Sequence, residues 1–349
     1  MLDTAGIGTY LAETLPRVLA RMGSTPFTLL GPAASLGNLV SGFPNADVVG
    51  WEAPVYSARE QLEARRHVPR DTTAFWAPHF NIPLAWSGPL VVTVHDVAFL
   101  ALAGSTLAQV AYAKAMFSAV RRRASAILFD SAFTAQEFQR RVGTPRHATV
   151  CHLGVAAQWF DRASEPSPDR YLLFVGNVKP HKNLGRLIEA FARVAPRIPH
   201  RLVIAGRREG LRTVDDSVNR LAAALGRRID ITGYVSSPEL ERLVAGCDAL
   251  VLPSLYEGFG LPPLEALACG RPVAVSNVAS LPEVCGAEAE YFDPLDVDDM
   301  ARAIERVACR PADTLDIIER RRAWSRRFDW SVCADVVTAE LRRATTAGS

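Results

Sequence analysis

The chain has 349 residues, and at about 100–200 residues per domain that length calls for two domains, each with a core of its own. Hydrophobic residues make up 49% and charged residues 22%, the balance of a chain that folds in water rather than of a disordered one. Thirty-nine basic against 37 acidic side chains leave a formal charge of +2, which sets up no strong global field to recruit nucleic acid or a polyanionic surface.

The segment AGIGTY at 5–10 has the form of a glycine-rich turn opening a helix over 10–22. Such a turn normally follows a strand, and only four residues precede it, so the leading strand is expected to be missing; a start placed too late at an internal methionine is the preferred explanation. A strand at 27–30 follows, then strands in TAFWAP, LVVTVHD and ASAILFDS, helices over 108–124 and 135–141, and a last strand in ATVCHLG. The clearest composition break is ASEPSPDR at 163–170, read as a linker between a first domain at 1–162 and a second at 171–327.

After the linker, β-branched runs alternate with helical patterns: YLLFVG, RLVIAG, IDITGYV, ALVLPS, PVAVS and AEYFD are separated by LIEAFARV, VNRLAAAL, ELERLVAG, LEALACG and the helix MARAIERVA. This alternation predicts βαβ units and a parallel sheet covered on both faces. The fold class is therefore α/β, with two doubly wound Rossmann-like domains expected to form a cleft at the carboxyl ends of their strands. A final helix over 328–343, anchored by Phe328 and Trp330, is expected to cross back to the first domain.

The basic residues are nearly all arginine, and the lysines are Lys114, Lys179 and Lys182. The six cysteines are scattered, with no CxxC, as expected of structural thiols in a reducing cytosol rather than a disulfide framework or zinc site. No apolar run approaches the roughly 18–20 residues of a membrane span and no signal peptide is evident, so a cytoplasmic protein is expected, with peripheral contact at the inner membrane face the further option. Arg121, Arg122 and Arg123 suit a solvated helix end, or such a contact.

The densest chemical signal is VLPSLYEGFGLPPLEALACG at 251–270. An apolar strand ends in Pro253–Ser254, a glycine-rich turn follows (Gly258, Phe259, Gly260), and a helix starts near Leu261–Pro263, where first-turn amides lack partners. That is a ready anion site. Glu257 and Glu265, eight residues apart, can reach two parts of one ligand, and carboxylates accept hydrogen bonds from sugar hydroxyls well. His95 ends the apolar strand VVTVHD, with Asp96 placed to orient it or to cap the next element. His79, in WAPHFNIP, suits an acceptor-side or a structural role. Asp298–Asp299 reads as a helix cap, and no DxD pair ends a strand, so neither a metal nor another cofactor is expected.

These residues resemble the signature of retaining glycosyltransferases of the two-Rossmann-domain (GT-B) type, family 4-like, with the E-x7-E motif, a group that includes bacterial mannosyltransferases. The likeness extends to GIGTY, VVTVHD, LFVGNVKPHKN, LVIAG, ITGYV and SLPE in that order. It implies that Glu257 meets the donor-sugar hydroxyls, that the amides of Gly258, Phe259 and Gly260 support the sugar and diphosphate, and that Glu265 holds the ribose. It also implies that Lys182 neutralises the departing diphosphate and that His95 lies against the donor sugar. Asn177 stands where many members carry arginine, so Lys179 or Arg207 is expected to supply the second charge, and Gly6 and Gly8 suit close approach to diphosphate or acceptor. The implied reaction moves a hexose from a nucleotide-sugar, first GDP-mannose and second UDP-glucose, to a saccharide or lipid-linked saccharide. An inactive sugar-nucleotide-binding scaffold is the rival from another class. A dehydrogenase is disfavoured, since no G-x-G-x-x-G follows a strand with an acidic residue about 20 positions on.

Overall fold

The computed structural model describes residues 6–53, 56–162, 167–206 and 216–347, and these divide into two units. The turn expected to want a leading strand keeps Gly6, which caps the first helix at φ 88; residues 1–5 lie outside the described residues.

The first unit takes residues 1–154 and 329–349. Its strands are β1 (Phe27–Gly31), β2 (Ala46–Gly50), β3 (Phe75–Ala77), β4 (Leu90–Val94), β5 (Ala126–Phe129) and β6 (Ala148–Val150). Its helices are α1 (Ile7–Met22), α2 (Ala33–Val40), α3 (Ala58–His67), α4 (Ala98–Ala101), α5 (Leu107–Arg123) and α6 (Ala132–Val142). β1 and β2 form one parallel pair and β3-β4-β5-β6 a four-stranded parallel sheet. Every residue of β4 and β5 is buried, which is why LVVTV and AILF read as unbroken apolar runs.

The second unit is residues 155–328, with β7 (Tyr171–Val175), β8 (Arg201–Ala205), β9 (Ile229–Gly233), β10 (Ala249–Leu252), β11 (Val273–Ser276) and β12 (Ala289–Phe292). Between and after them run α7 (Leu184–Val194), α8 (Asp216–Leu225), α9 (Ser237–Gly246), α10 (Leu261–Ala268), α11 (Leu281–Cys285), α12 (Val297–Cys309) and α13 (Leu315–Ser325). The strands pair in parallel in the order β12-β11-β10-β7-β8-β9. This is the doubly wound arrangement with its reversal between β7 and β10, the place where such sheets bind ligands.

The passage between units corrects the expected linker. The chain leaves the first unit at Gly154, not at 163–170, and returns at Asp329 into α14 (Trp330–Ala347). The two passages run side by side: the Val155 amide donates to the Phe328 carbonyl at 3.0 Å, and a Cβ on Gly154 would lie 2.1 Å from the Trp330 nitrogen. The described part of the proline-bearing segment belongs to the second unit, where the Ser167 amide donates to the Gly246 carbonyl at 2.9 Å. The two aromatic anchors divide accordingly. Trp330 packs 6.3 Å from Tyr10 in the first unit, and Phe328 lies 5.8 Å from Phe259 in the second.

Elements α2, β2, α3 and α13 were not expected from the sequence. AREQLEARRH in α3 and LDIIERRRAWS in α13 have no clean apolar stripe, so neither shows the period by which a helix is read. Asp296, rather than Asp298–Asp299, caps α12, accepting from the amides of Asp298 and Asp299 at 2.9 and 3.0 Å.

Candidate active site

In the second unit the loops after β7 and β10 meet, because these two strands are direct neighbours at the sheet's reversal. VGNVKPHKN folds into a short 3-10 turn at Pro180–Lys182, and the His181 carbonyl accepts from the Leu255 amide at 2.8 Å. Asn183 locks the join. Buried, in a left-handed conformation at φ 59, it donates through Nδ2 to the carbonyls of Pro253 and Pro294 at 3.0 and 2.8 Å.

That join places Lys182 Nζ 2.6 Å from Glu257 Oε1, with side chains 16% and 12% exposed. Ser254 Oγ donates to the same carboxylate oxygen at 2.6 Å. The glycine turn is tied down from behind, since Ser280 Oγ donates to the carbonyls of Glu257 and Phe259 at 3.1 and 2.6 Å. Gly260 takes φ 108, and a Cβ there would come 2.8 Å from Leu281 Cδ2. Leu261 then opens α10 with Pro262 in its first turn. The structure thus gathers Lys182, Glu257 and the stretch Gly258–Leu261 at the start of α10, where helix amides and dipole favour negative charge.

Glu265 lies one turn further along α10. Burial, with the Glu241 carboxylate adding to it, pushes its pKa up to about 8, so it holds a proton at neutral pH until a ligand supplies a reason to ionise. Asn177 and Lys179 are exposed on the loop after β7. Arg207 lies outside the described residues. Gly206 packs so closely on Gly176 that a Cβ would sit 2.0 Å from the Gly176 carbonyl oxygen.

In the first unit His95 follows β4 with both ring nitrogens engaged. Nδ1 is 2.7 Å from Asp130 Oδ2, and Nε2 donates to the Pro78 carbonyl at 2.9 Å. Burial alone would lower the His95 pKa, but the Asp130 carboxylate and the Pro78 carbonyl outweigh it, and the net shift is upward. Asp96 does not orient His95; its Oδ1 accepts from the Ala98 amide at 2.8 Å and caps α4. His79 is buried beside Tyr56 and Asn81. Gly8 is buried in the first turn of α1.

Sequence reasoning missed Asp130, Ser254 and Asn183. For Asp130 a signal existed: Val94 and Phe129 are register partners in β4 and β5, so the residue after each apolar run, His95 and Asp130, falls on neighbouring strand ends. Among the described residues no group of three or more His, Cys, Asp or Glu side chains is placed to hold a metal ion. Nor is any helix among them long and apolar enough to cross a membrane.

A parallel sheet of this order with a lysine–carboxylate pair and a glycine turn at its reversal defines the second unit as a Rossmann-type ligand-binding domain. Residues 156–325 match the family model described as Glycosyl transferases group 1, so the chain carries a domain of that family. Serotype-specific mannosyltransferase WbdA of Escherichia coli is 36% identical over 183 residues, covering 50% of this chain and 22% of WbdA. O-antigen chain mannosyltransferase B of the same species is 36% identical over 168 residues, 47% of this chain and 43% of that protein. The match therefore spans less than half the length of either relative. The crystal structure of Anabaena HepE in complex with UDP and glucose superposes on 97% of this chain and 96% of its own, with TM-score 0.75 and 17% identity. That likeness shows the two-Rossmann-domain (GT-B) fold.

Proposed function

We propose that the protein is a glycosyltransferase that moves a hexose from a nucleotide-sugar to a saccharide or lipid-linked saccharide with retention of configuration. The donor in this reading is GDP-mannose, in keeping with the mannosyltransferases it is similar to. The observation that carries the reading is the Lys182–Glu257 contact at the head of α10, inside the stretch that matches the glycosyltransferase family model.

Glu257 has one oxygen committed to Lys182 and Ser254, which leaves it a sugar-holding group rather than a covalent nucleophile. Departure of the diphosphate then leads, with the leaving phosphate taking the acceptor proton on the same face. Lys182, Lys179 and the amides at the start of α10 take up the charge that develops on the leaving group. Glu265 is assigned to the ribose. His95 is assigned to turnover rather than nucleotide binding, so His95→Gln should keep nucleotide affinity and lose rate.

Thermal shift with a panel of nucleotides and nucleotide-sugars tests the donor assignment. Stabilisation by GDP-mannose, lost in both Glu257→Ala and Lys182→Ala, is the expected result; no response to any nucleotide overturns the transferase reading. UDP-glucose is the second donor to try, favoured by the fold shared with a protein crystallised with UDP and glucose.

A further inference from the structure

The first unit holds a second constellation that the donor reading does not use. Tyr56 stands just before α3 at φ 65, a left-handed conformation that costs a non-glycine residue about 1–3 kcal/mol unless its surroundings hold it. Its ring stacks on Phe80, with centroids 5.8 Å apart and planes 18° apart, and meets Tyr112 of α5 edge-on at 5.9 Å. Even so, Tyr56 is 40% exposed.

Its polar neighbours form a chain across three elements. Glu60 Oε2 accepts from the Tyr56 amide at 2.8 Å and from Asn81 Nδ2 at 2.7 Å, and Asn81 Oδ1 accepts from the Tyr112 hydroxyl. His79 Nδ1 accepts from the Asn81 amide at 3.3 Å, and burial, with the nearby His95 adding to it, holds the ring neutral with a pKa of about 3. The His79 proton is therefore on Nε2, which donates to the Tyr56 hydroxyl oxygen at 3.2 Å. Two groups are left over. The Tyr56 O–H keeps its own proton to give, and among the described residues Glu60 Oε1 takes no hydrogen bond.

We propose that this aromatic wall, with the Tyr56 hydroxyl as donor and Glu60 as acceptor, binds an uncharged saccharide, the acceptor of the transfer. The proposal rests on the glycosyltransferase reading for the word acceptor only. A hydroxyl donor beside a carboxylate acceptor on an aromatic surface matches the paired hydroxyls and apolar faces of a sugar ring. Neutrality follows from charge. Burial and then the carboxylates of Asp96 and Glu60 raise the Tyr56 pKa, and the same two carboxylates repel a phosphate or carboxylate on an incoming ligand.

Calorimetric titration of the full chain, saturated with GDP, tests this with α-1,2-mannobiose and mannose 6-phosphate as probes. Mannobiose should bind at least tenfold tighter than mannose 6-phosphate. Tyr56→Phe, which keeps the ring, and Glu60→Gln should each weaken mannobiose at least fivefold with GDP affinity unchanged, and Glu60→Gln should narrow the gap between the two probes. Unchanged mannobiose affinity in both variants, equal or tighter binding of the phosphorylated sugar, or no saccharide binding at all overturns the proposal. Because GDP affinity is read in the same samples, loss of nucleotide binding with mannobiose binding intact counts against the donor reading alone.

Discussion

Lys182 Nζ meets Glu257 Oε1 at 2.6 Å across 75 residues of sequence. Each side chain is delivered by the loop that leaves one of two neighbouring parallel strands, so the pair is a product of sheet order. Without ligand the two charges neutralise each other. A bound diphosphate would compete with Glu257 for the ammonium.

Removing one partner leaves the other partly buried and uncompensated. Lys182→Met should lower the unfolding free energy by about 1.5–3 kcal/mol, the range for a hydrogen bond to a charged group. Adding Glu257→Gln should recover part of that loss. Urea denaturation of the two single variants and the double variant forms the cycle, and strictly additive losses would count against a coupled pair.

The raised pKa of Glu265 has a stability consequence with a fixed sign. The unfolded chain gives up this proton near the ordinary 4.5, and the folded protein keeps it to about 8. Stability therefore falls as pH rises between these values and is level above them. Glu265→Gln should remove that part of the decline, becoming more stable than wild type at pH 8 while matching it at pH 4. If the ionised carboxylate holds the donor ribose, wild-type nucleotide affinity should also rise across the same window and stay flat in the variant.

Two glycines of the second unit separate strain from steric conflict. Gly260→Ala faces a left-handed φ and the flexible end of Leu281, a cost of about 1–3 kcal/mol. Gly206→Ala instead drives a Cβ into the Gly176 backbone at 2.0 Å, where nothing can yield without parting β7 from its loop. It should destabilise more than Gly260→Ala, and thermal unfolding of the pair gives the order.

The His95–Asp130 contact is open to direct titration. Asp130→Asn should lower the His95 pKa, followed by ring-proton NMR, because the carboxylate that offsets burial is gone. A raised imidazole pKa adds stability that is complete below the ordinary value of 6.5 and fades as pH climbs through the raised one. The wild-type advantage over Asp130→Asn should therefore shrink toward alkaline pH. An unchanged His95 titration would show that the contact does not govern the ring.

Much of the second unit was legible in the sequence, because strands buried on both faces must be apolar throughout and the glycine turns between them punctuate clearly. YLLFV, RLVIA, ALVL and VAVS are strands where they were expected. The first unit was harder to read, since α3 is polar and β3 is three residues long. In the site, Lys182 and Glu257 came from residue type and local pattern. Asn183 and Asp130 did not, because their partners, Pro253, Pro294 and His95, are set by strand order rather than by nearness along the chain.

The hydrogen bond from Val155 to the Phe328 carbonyl makes the second unit an insert whose two ends touch. Such an insert can be excised at 155 and 328 with little disturbance to its own sheet, or permuted by a short link between those ends. The host is prepared in the same way: Gly154 already abuts the Trp330 backbone, so a direct join there would reseat α14 without the insert. This architecture would let a binding cassette be exchanged as one piece, its boundaries marked by a glycine and a tryptophan.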